Sequence, residues 1–242
     1  MRPPLEGDSG RSWDCKRGGA QRQKIWAVIG EHPFGRARLR RGPAQARAFC
    51  RSDMEQAELF DTASKFPPGF CYVGELVSHA HEQRLVHHFQ ELEFKPFEFH
   101  GFLGKRRIIS FGWRYDFSGG GLQKTNDIPR FLEPLRRQAA AFAMLKASDL
   151  QHVLVTEYQP GAAIGWHKDR SVFGDVIGIS LSSACTFRLR KKAGAGWERA
   201  SIVLEPRSAY LLQNEARSAW EHSIPSVTDL RYSITFRNFR TA

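Results

Sequence analysis

The 242-residue chain has no apolar run long enough to cross a bilayer as a helix. Its start also lacks the short apolar core of a secretory signal. These two absences predict a cytoplasmic protein with no membrane partner. Cysteine is scarce: Cys15, Cys50, Cys71 and Cys185 stand far apart, with no CxxC pair and no framework spacing. A reducing compartment follows, with free buried thiols at Cys71 and Cys185. Ser118-Gly119-Gly120-Gly121 is glycine-rich, but no Lys-Ser/Thr directly follows its last glycine. It therefore reads as a mobile connector, not a phosphate loop.

What is present points to one globular domain. Hydrophobic residues make up 41% of the chain and include 18 Phe, enough for a sizeable core. The net charge of +11 is uneven: residues 1–53 hold 12 Lys and Arg against 5 Asp and Glu, leaving +4 for the rest. Residues 1–53 are dense in Gly, Pro and Arg and show little periodicity beyond Ile25–Ile29, which could form a strand or a hydrophobic hook. They read as a basic, disordered N-terminal tail, a phosphate-tracking arm, or the product of a mis-called start with Met54 as the initiator. The domain is then 54–242. A monomer is assumed, since nothing in the sequence speaks to oligomeric state.

Within it, Phe70–Val73 reads as a strand. A helix follows from Ser78, its N-cap, to Leu92, with Leu85, Phe89 and Leu92 as its apolar stripe. His79, His81, His87 and His88 on or near this helix read as solvated, since no cysteine or carboxylate cluster converges on them. Strands are expected at 94–99 and 107–111, then a second helix from Pro134 to Leu145 burying Leu135, Ala139, Phe142 and Met144 or Leu145. From Gln151 onward come short β-runs at 152–158, 164–169, 176–181, 186–191, 201–205, 209–212, 222–224 and 231–239, with 191–196 as a hairpin turn. Many short strands between turn residues indicate a sandwich or jelly roll.

Gly165-Trp166-His167-Lys168-Asp169 places an imidazole and a carboxylate two residues apart. On an extended strand both point to one face, so both can reach one metal ion, and His222 can return across a barrel as a third ligand. Two His and one carboxylate form the facial triad of non-haem Fe(II) oxygenases. By itself His-x-Asp is equally an N-cap or a surface hydrogen bond. The C-terminal run Arg231-Tyr232-Ser233-Ile234-Thr235-Phe236-Arg237 alternates. One face carries Tyr232, Ile234 and Phe236, and the other carries Arg231, Ser233, Thr235 and Arg237. Turned into a barrel, the second face buries two guanidiniums, which a dicarboxylate would neutralise. A half-exposed strand with solvated arginines is the plainer alternative.

Taken together, His-x-Asp, the later His and Arg-x5-Arg occur in an order and spacing that resemble the AlkB family of Fe(II)/2-oxoglutarate dioxygenases, over residues 66–240. Leu154-Val155-Thr156-Glu157-Tyr158-Gln159-Pro160-Gly161 is similar to that family's strand-turn before its first ligand. The resemblance implies a mainly β (α+β) fold with flanking helices, built on a double-stranded β-helix (jelly-roll) core. It implies Fe(II) held by His167, Asp169 and His222, with 2-oxoglutarate and O2 as co-substrates. Arg231 would pair with the distal carboxylate of 2-oxoglutarate, and Arg237 would lie near its other carboxylate and near Asp169. Tyr158 and Thr156 stand where the family has a Tyr and an Asn, and Ser233 replaces an Asn. Both departures keep a hydroxyl donor.

For substrate, Phe111-Gly112-Trp113-Arg114-Tyr115-Asp116-Phe117 follows Lys105-Arg106-Arg107. Cations beside rings suit phosphates and stacked bases, although an aromatic core strand would look the same. The resemblance implies a nucleotide-recognition lid in this part of the chain, with Arg107, Phe111, Trp113 and Tyr115 touching the substrate. The acidic residue that often follows the metal-binding Asp by two or three places is missing; Asp175 is the next carboxylate. The reading is oxidative demethylation of N-alkylated bases in DNA or RNA, presented single-stranded, with release of formaldehyde. The alternatives are oxidation of a protein side chain and a non-catalytic module holding structural zinc.

Overall fold

The computed structural model describes residues 66–99, 102–116 and 119–240. The readings of the N-terminal tail, Ile25–Ile29 and Met54 lie outside these residues. Thirteen strands and three α-helices follow one another as β1 Phe70–Val73, α1 His79–Gln90, β2 Lys95–Phe99, β3 Phe102–Phe111, β4 Trp113–Asp116, β5 Gly121–Lys124, α2 Glu133–Ala143, β6 His152–Tyr158, β7 Ile164–His167, β8 Phe173–Leu181, β9 Cys185–Ala193, β10 Gly196–Leu204, β11 Ala209–Leu212, α3 Asn214–Ser218, β12 Glu221–Ile224 and β13 Arg231–Phe239. A seven-stranded sheet runs β1-β11-β8-β13-β6-β3-β2 and a four-stranded sheet runs β10-β9-β12-β7; β4 and β5 form a separate hairpin. This is the expected mainly β jelly roll with helices beside it. None of the described helices is long and apolar enough to cross a membrane.

Alternation along the strands separates two cores. One face of the large sheet carries Val153, Val155, Ile177, Ile179, Leu181, Tyr232, Ile234 and Phe236 against Leu85 and Phe89 of α1 and Leu135, Ala139 and Phe142 of α2. A second cluster, including Val176, Phe187, Leu189, Tyr210, Leu212 and Ile224, draws on both sheets. Ser78 caps α1 as expected, its hydroxyl accepting from the His81 amide at 3.3 Å. Helix α2 ends on Met144 in the left-handed region, so Met144 swings out to 60% exposure while Leu145 packs on the core. The histidines of α1 do not converge; His88 stacks on Phe131 instead, with ring centroids 4.4 Å apart.

Several expectations need correction. β7 stops at His167, so Asp169 sits in the loop beyond it and is not its strand neighbour. β3 and β10 begin earlier than expected, β10 because its first residues, including Glu198 and Arg199, are exposed. The short β5 and α3 carry no periodic signal. Cys185 is a free buried thiol, whereas Cys71 is disulfide-bonded, a pairing that spacing alone does not reveal.

Candidate active site

Register in the large sheet builds one wall of the site. Ser233 of β13 pairs with Ser180 of β8 on one side and Thr156 of β6 on the other, and Thr156 pairs with Ile108 of β3. Neighbours in register share a face, so hydroxyls from three strands and an Ile line up across the sheet. The next rows on this face are Arg231 beside Tyr158 on one side and Thr235 beside Leu154 on the other, with Arg237 beside His152 one row beyond. This face looks into a cavity of about 720 Å³ between the sheets, whose wall includes Thr156, Tyr158, Ser233, Arg237, His167, Asp169 and His222.

The smaller sheet supplies two of the candidate ligands. His167 on β7 is the register partner of His222 on β12, and their rings lie 4.2 Å apart, centroid to centroid. Nδ1 of His167 is 2.9 Å from the Gly165 carbonyl. A carbonyl only accepts, so Nδ1 holds the proton and Nε2 keeps its lone pair. Burial lowers the pKa of His167, with Asp169 opposing the shift. For His222, burial and then the neighbouring His167 bring the value down to about 3. Both imidazoles are therefore neutral, as metal ligands must be.

Asp169 reaches the same place from the loop after β7. Burial pushes its carboxyl up, but Arg237, then His222 and His167, overcome that and hold it well below the usual carboxylate range. Its two oxygens differ. Oδ1 accepts from Arg237 Nε at 2.9 Å and Nη2 at 2.5 Å. Oδ2 is buried with no hydrogen-bond partner, 3.5 Å from His222 Nε2. Arg237 also donates from Nη1 to His152 Nδ1 at 3.3 Å. That fixes Nδ1 as the unprotonated nitrogen of His152, whose pKa is lowered by burial and then by Arg237.

These residues fit Fe(II) and 2-oxoglutarate, although they do not stand pre-closed as a metal cage; among the described residues no set of three His, Cys, Asp or Glu does. The supporting features are the His167 tautomer, the free Oδ2 of Asp169 and the state of Arg231. Arg231 is 1% exposed. It donates from Nε to Ser180 Oγ at 3.1 Å, while Nη1 has no partner. Its guanidinium lies 5.0 Å from the centre of the Tyr158 ring. No carboxylate neutralises it among the described residues, which is costly for a buried charge unless an anion arrives.

The substrate residues fare differently. Tyr115 is on the cavity wall, with Arg170 4.7 Å over its ring. Phe111 is 4% exposed and belongs to the core beneath the helices. Arg107 turns the same way and forms a two-pronged pair with buried Glu157, Nε to Oε1 at 2.7 Å and Nη2 to Oε2 at 2.9 Å. Trp113 is off the wall, edge-on to Phe239 at 5.5 Å. The residues of β3 that do face the cavity are Gly104, Arg106, Ile108 and Ser110. Arg107 and Phe111, expected to touch the substrate, are thus on the opposite face of β3 from the cavity: a single-residue shift exchanges the two faces of a strand.

Two further contributors went unread. Arg217 of α3 is 9% exposed and donates to the carbonyls of Arg170, Phe173 and Gly174 at 2.7–2.8 Å. It thus ties down the loop that carries Asp169. No local pattern marks it, since α3 is only five residues long. Tyr210 lines the cavity and stacks on Phe187 with centroids 4.6 Å apart; burial, then Asp169, push its phenol pKa up.

Comparison with known proteins identifies the family. The family model described as 2OG-Fe(II) oxygenase superfamily matches residues 76–237. Uncharacterized protein L905 of Acanthamoeba polyphaga mimivirus is 28% identical over 189 residues, covering 70% of this chain and 84% of that protein. The alkylated DNA repair protein ALKBH8 homolog of Arabidopsis thaliana is 25% identical over 182 residues. That match covers 65% of this chain and 51% of the Arabidopsis protein, so the chain spans about half of that relative's length. In fold, the chain resembles the structure of OsALKBH1, with a TM-score of 0.58 at 15% identity over 72% of this chain and 98% of that one. A Pseudomonas putida prolyl-4-hydroxylase follows at 0.51 and 13%, over 72% and 94%. The chain belongs to the 2OG-Fe(II) oxygenase superfamily, as a dioxygenase that depends on Fe(II), 2-oxoglutarate and O2.

Proposed function

We propose that this dioxygenase removes an N-alkyl group from a nucleobase in single-stranded DNA or RNA. The observation that carries this reading is the composition of the cavity wall beside His167. There the rings of Phe97 and Tyr115 stand among Arg106, Lys168 and Arg170. Rings accept a stacked base and cations hold phosphates, and a base taken out of its stack fits a cavity of this size. The Arabidopsis relative, described as an alkylated DNA repair protein, supports the same class of substrate.

His167 Nε2, His222 Nε2 and Asp169 Oδ2 would hold Fe(II). With 2-oxoglutarate and O2, the metal centre supplies the oxidation, in which 2-oxoglutarate becomes succinate and CO2 and a substrate C–H becomes C–OH. Arg237 holds the other oxygen of Asp169, so only one is left for the metal. Arg231 would take the distal carboxylate of 2-oxoglutarate in a two-pronged pair. Tyr158, Thr156 and Ser233 would orient that molecule through their hydroxyls. The hydroxymethyl group then leaves the nitrogen as formaldehyde; its O–H proton passes to the nitrogen, which keeps the bonding pair. Phe173 and Phe187 on the cavity wall limit the access of water.

Formaldehyde release should be measured with Fe(II) and 2-oxoglutarate across methylated DNA, methylated RNA and methylated histone-like peptides. Release from oligonucleotides and none from peptides is expected. The opposite outcome favours the alternative, oxidation of a protein side chain, which a fold shared with a prolyl-4-hydroxylase also accommodates.

A further inference from the structure

Arg106 follows from the register of β3. Ile108 pairs with Thr156 and faces the cavity, so Arg106, two residues earlier, faces it too. The guanidinium lies 3.8 Å from the centroid of the Phe97 ring. Among the described residues it makes no hydrogen bond and no ion pair. Its neighbour Arg107, on the opposite face, is fully engaged with Glu157.

The rest of the wall does not compensate. Four cationic side chains, Arg106, Lys168, Arg170 and Arg237, line the cavity, against one carboxylate, Asp169. That carboxylate is already held by Arg237 and is the proposed metal ligand. Fe(II) and a doubly charged 2-oxoglutarate would add equal and opposite charge, so the guanidinium of Arg106 stays without a counter-charge on the wall of the loaded site. Like charges brought together in a partly desolvated cavity repel strongly. A guanidinium aimed at a flat substrate instead rewards a carbonyl or ring-nitrogen acceptor.

We propose that Arg106 makes the cavity select an uncharged alkylated base that presents an acceptor, and reject bases that alkylation has made cationic. N1-methyladenine and N3-methylcytosine carry a positive charge; N6-methyladenine and N3-methylthymine do not. This rests on the nucleobase reading above and specifies which half of that class is used.

The test compares kcat/KM for formaldehyde release from single-stranded oligonucleotides carrying each of these four bases. The enzyme should favour the neutral pair over the cationic pair by about tenfold or more. Arg106→Glu should reverse the preference, and Arg106→Lys, which keeps the charge but loses the fork, should retain it at lower kcat/KM. The neutral-to-cationic ratio is read within each variant, so partial loss of folded enzyme cancels. Equal or faster turnover of the cationic bases by the unaltered enzyme overturns the proposal while leaving the nucleobase reading intact. An unchanged ratio in Arg106→Glu does the same. Absence of formaldehyde from all four oligonucleotides, while a peptide substrate is oxidised, overturns both.

Discussion

Arg231 is 1% exposed, and among the described residues its side chain makes a single hydrogen bond, from Nε to Ser180. Stability and function make opposite demands at such a residue. Arg231→Met removes an uncompensated buried charge while roughly keeping volume. It should raise the stability of the ligand-free protein by about 1 kcal/mol, a Tm gain of about 2–4 °C for a domain of this size. The same variant should lose the further Tm rise that 2-oxoglutarate gives by binding the native state. A fall in Tm without ligand would mean that the guanidinium is already balanced. Arg217 acts at one remove, through three carbonyls of the loop after β7. Arg217→Ala should weaken Fe(II) about tenfold or more, as loss of the groups that orient ligands typically does, with the far-UV spectrum unchanged; Fe(II) titration of succinate formation measures it. The sequence brought forward the residues with rare chemistry in a spaced pattern, such as His167, Asp169 and Arg231. It was silent on Arg217 and His152, whose importance comes only from what the fold sets beside them.

The strands show how far pattern reading reaches. In β13 the alternation of rings and aliphatics with polar residues is complete, and both faces were legible: Tyr232, Ile234 and Phe236 pack under the helices while Ser233, Thr235 and Arg237 meet the cavity. In β3 a run of three basic residues followed by apolar ones leaves parity open, and only pairing with β6 decides it. That correction has a measurable form. Arg107→Ala removes the cation from the buried carboxylate of Glu157, which keeps its hydrogen bonds from Gln159 and Tyr232. With Arg107 45% exposed at its side chain, solvent softens the loss, and a cost of about 1–2 kcal/mol in urea unfolding is expected. The relative rates on different oligonucleotides should not move. In β8, Gly178 faces Tyr210 so closely that a Cβ there would lie 2.2 Å from the ring. The ring is clamped against Phe187, so it cannot easily yield, and Gly178→Ala should destabilise by about 1–3 kcal/mol. The triad was read through strand alternation, yet β7 ends before Asp169. The three side chains come together, although not by the local geometry that suggested it: a loop, tethered from α3, does what a longer strand would have done.

On the scale of the whole molecule, charge organises the site. The cavity has four cations and one carboxylate on its wall. Binding of single-stranded oligonucleotide should weaken as salt rises, with a slope of log K on log salt that flattens by about 0.7 for each phosphate contact removed. Lys168→Ala and Arg170→Ala, combined, should flatten it by about 1.4 if both side chains hold phosphates. The same charge bears on how each catalytic cycle ends. The acid that enters is a dianion, and so is the succinate that must depart. A basin that draws in the first retains the second with comparable grip. At saturating co-substrate, ejection of the spent acid should therefore pace the enzyme, and moderate chloride should quicken steady-state turnover even as it loosens the hold on the oligonucleotide.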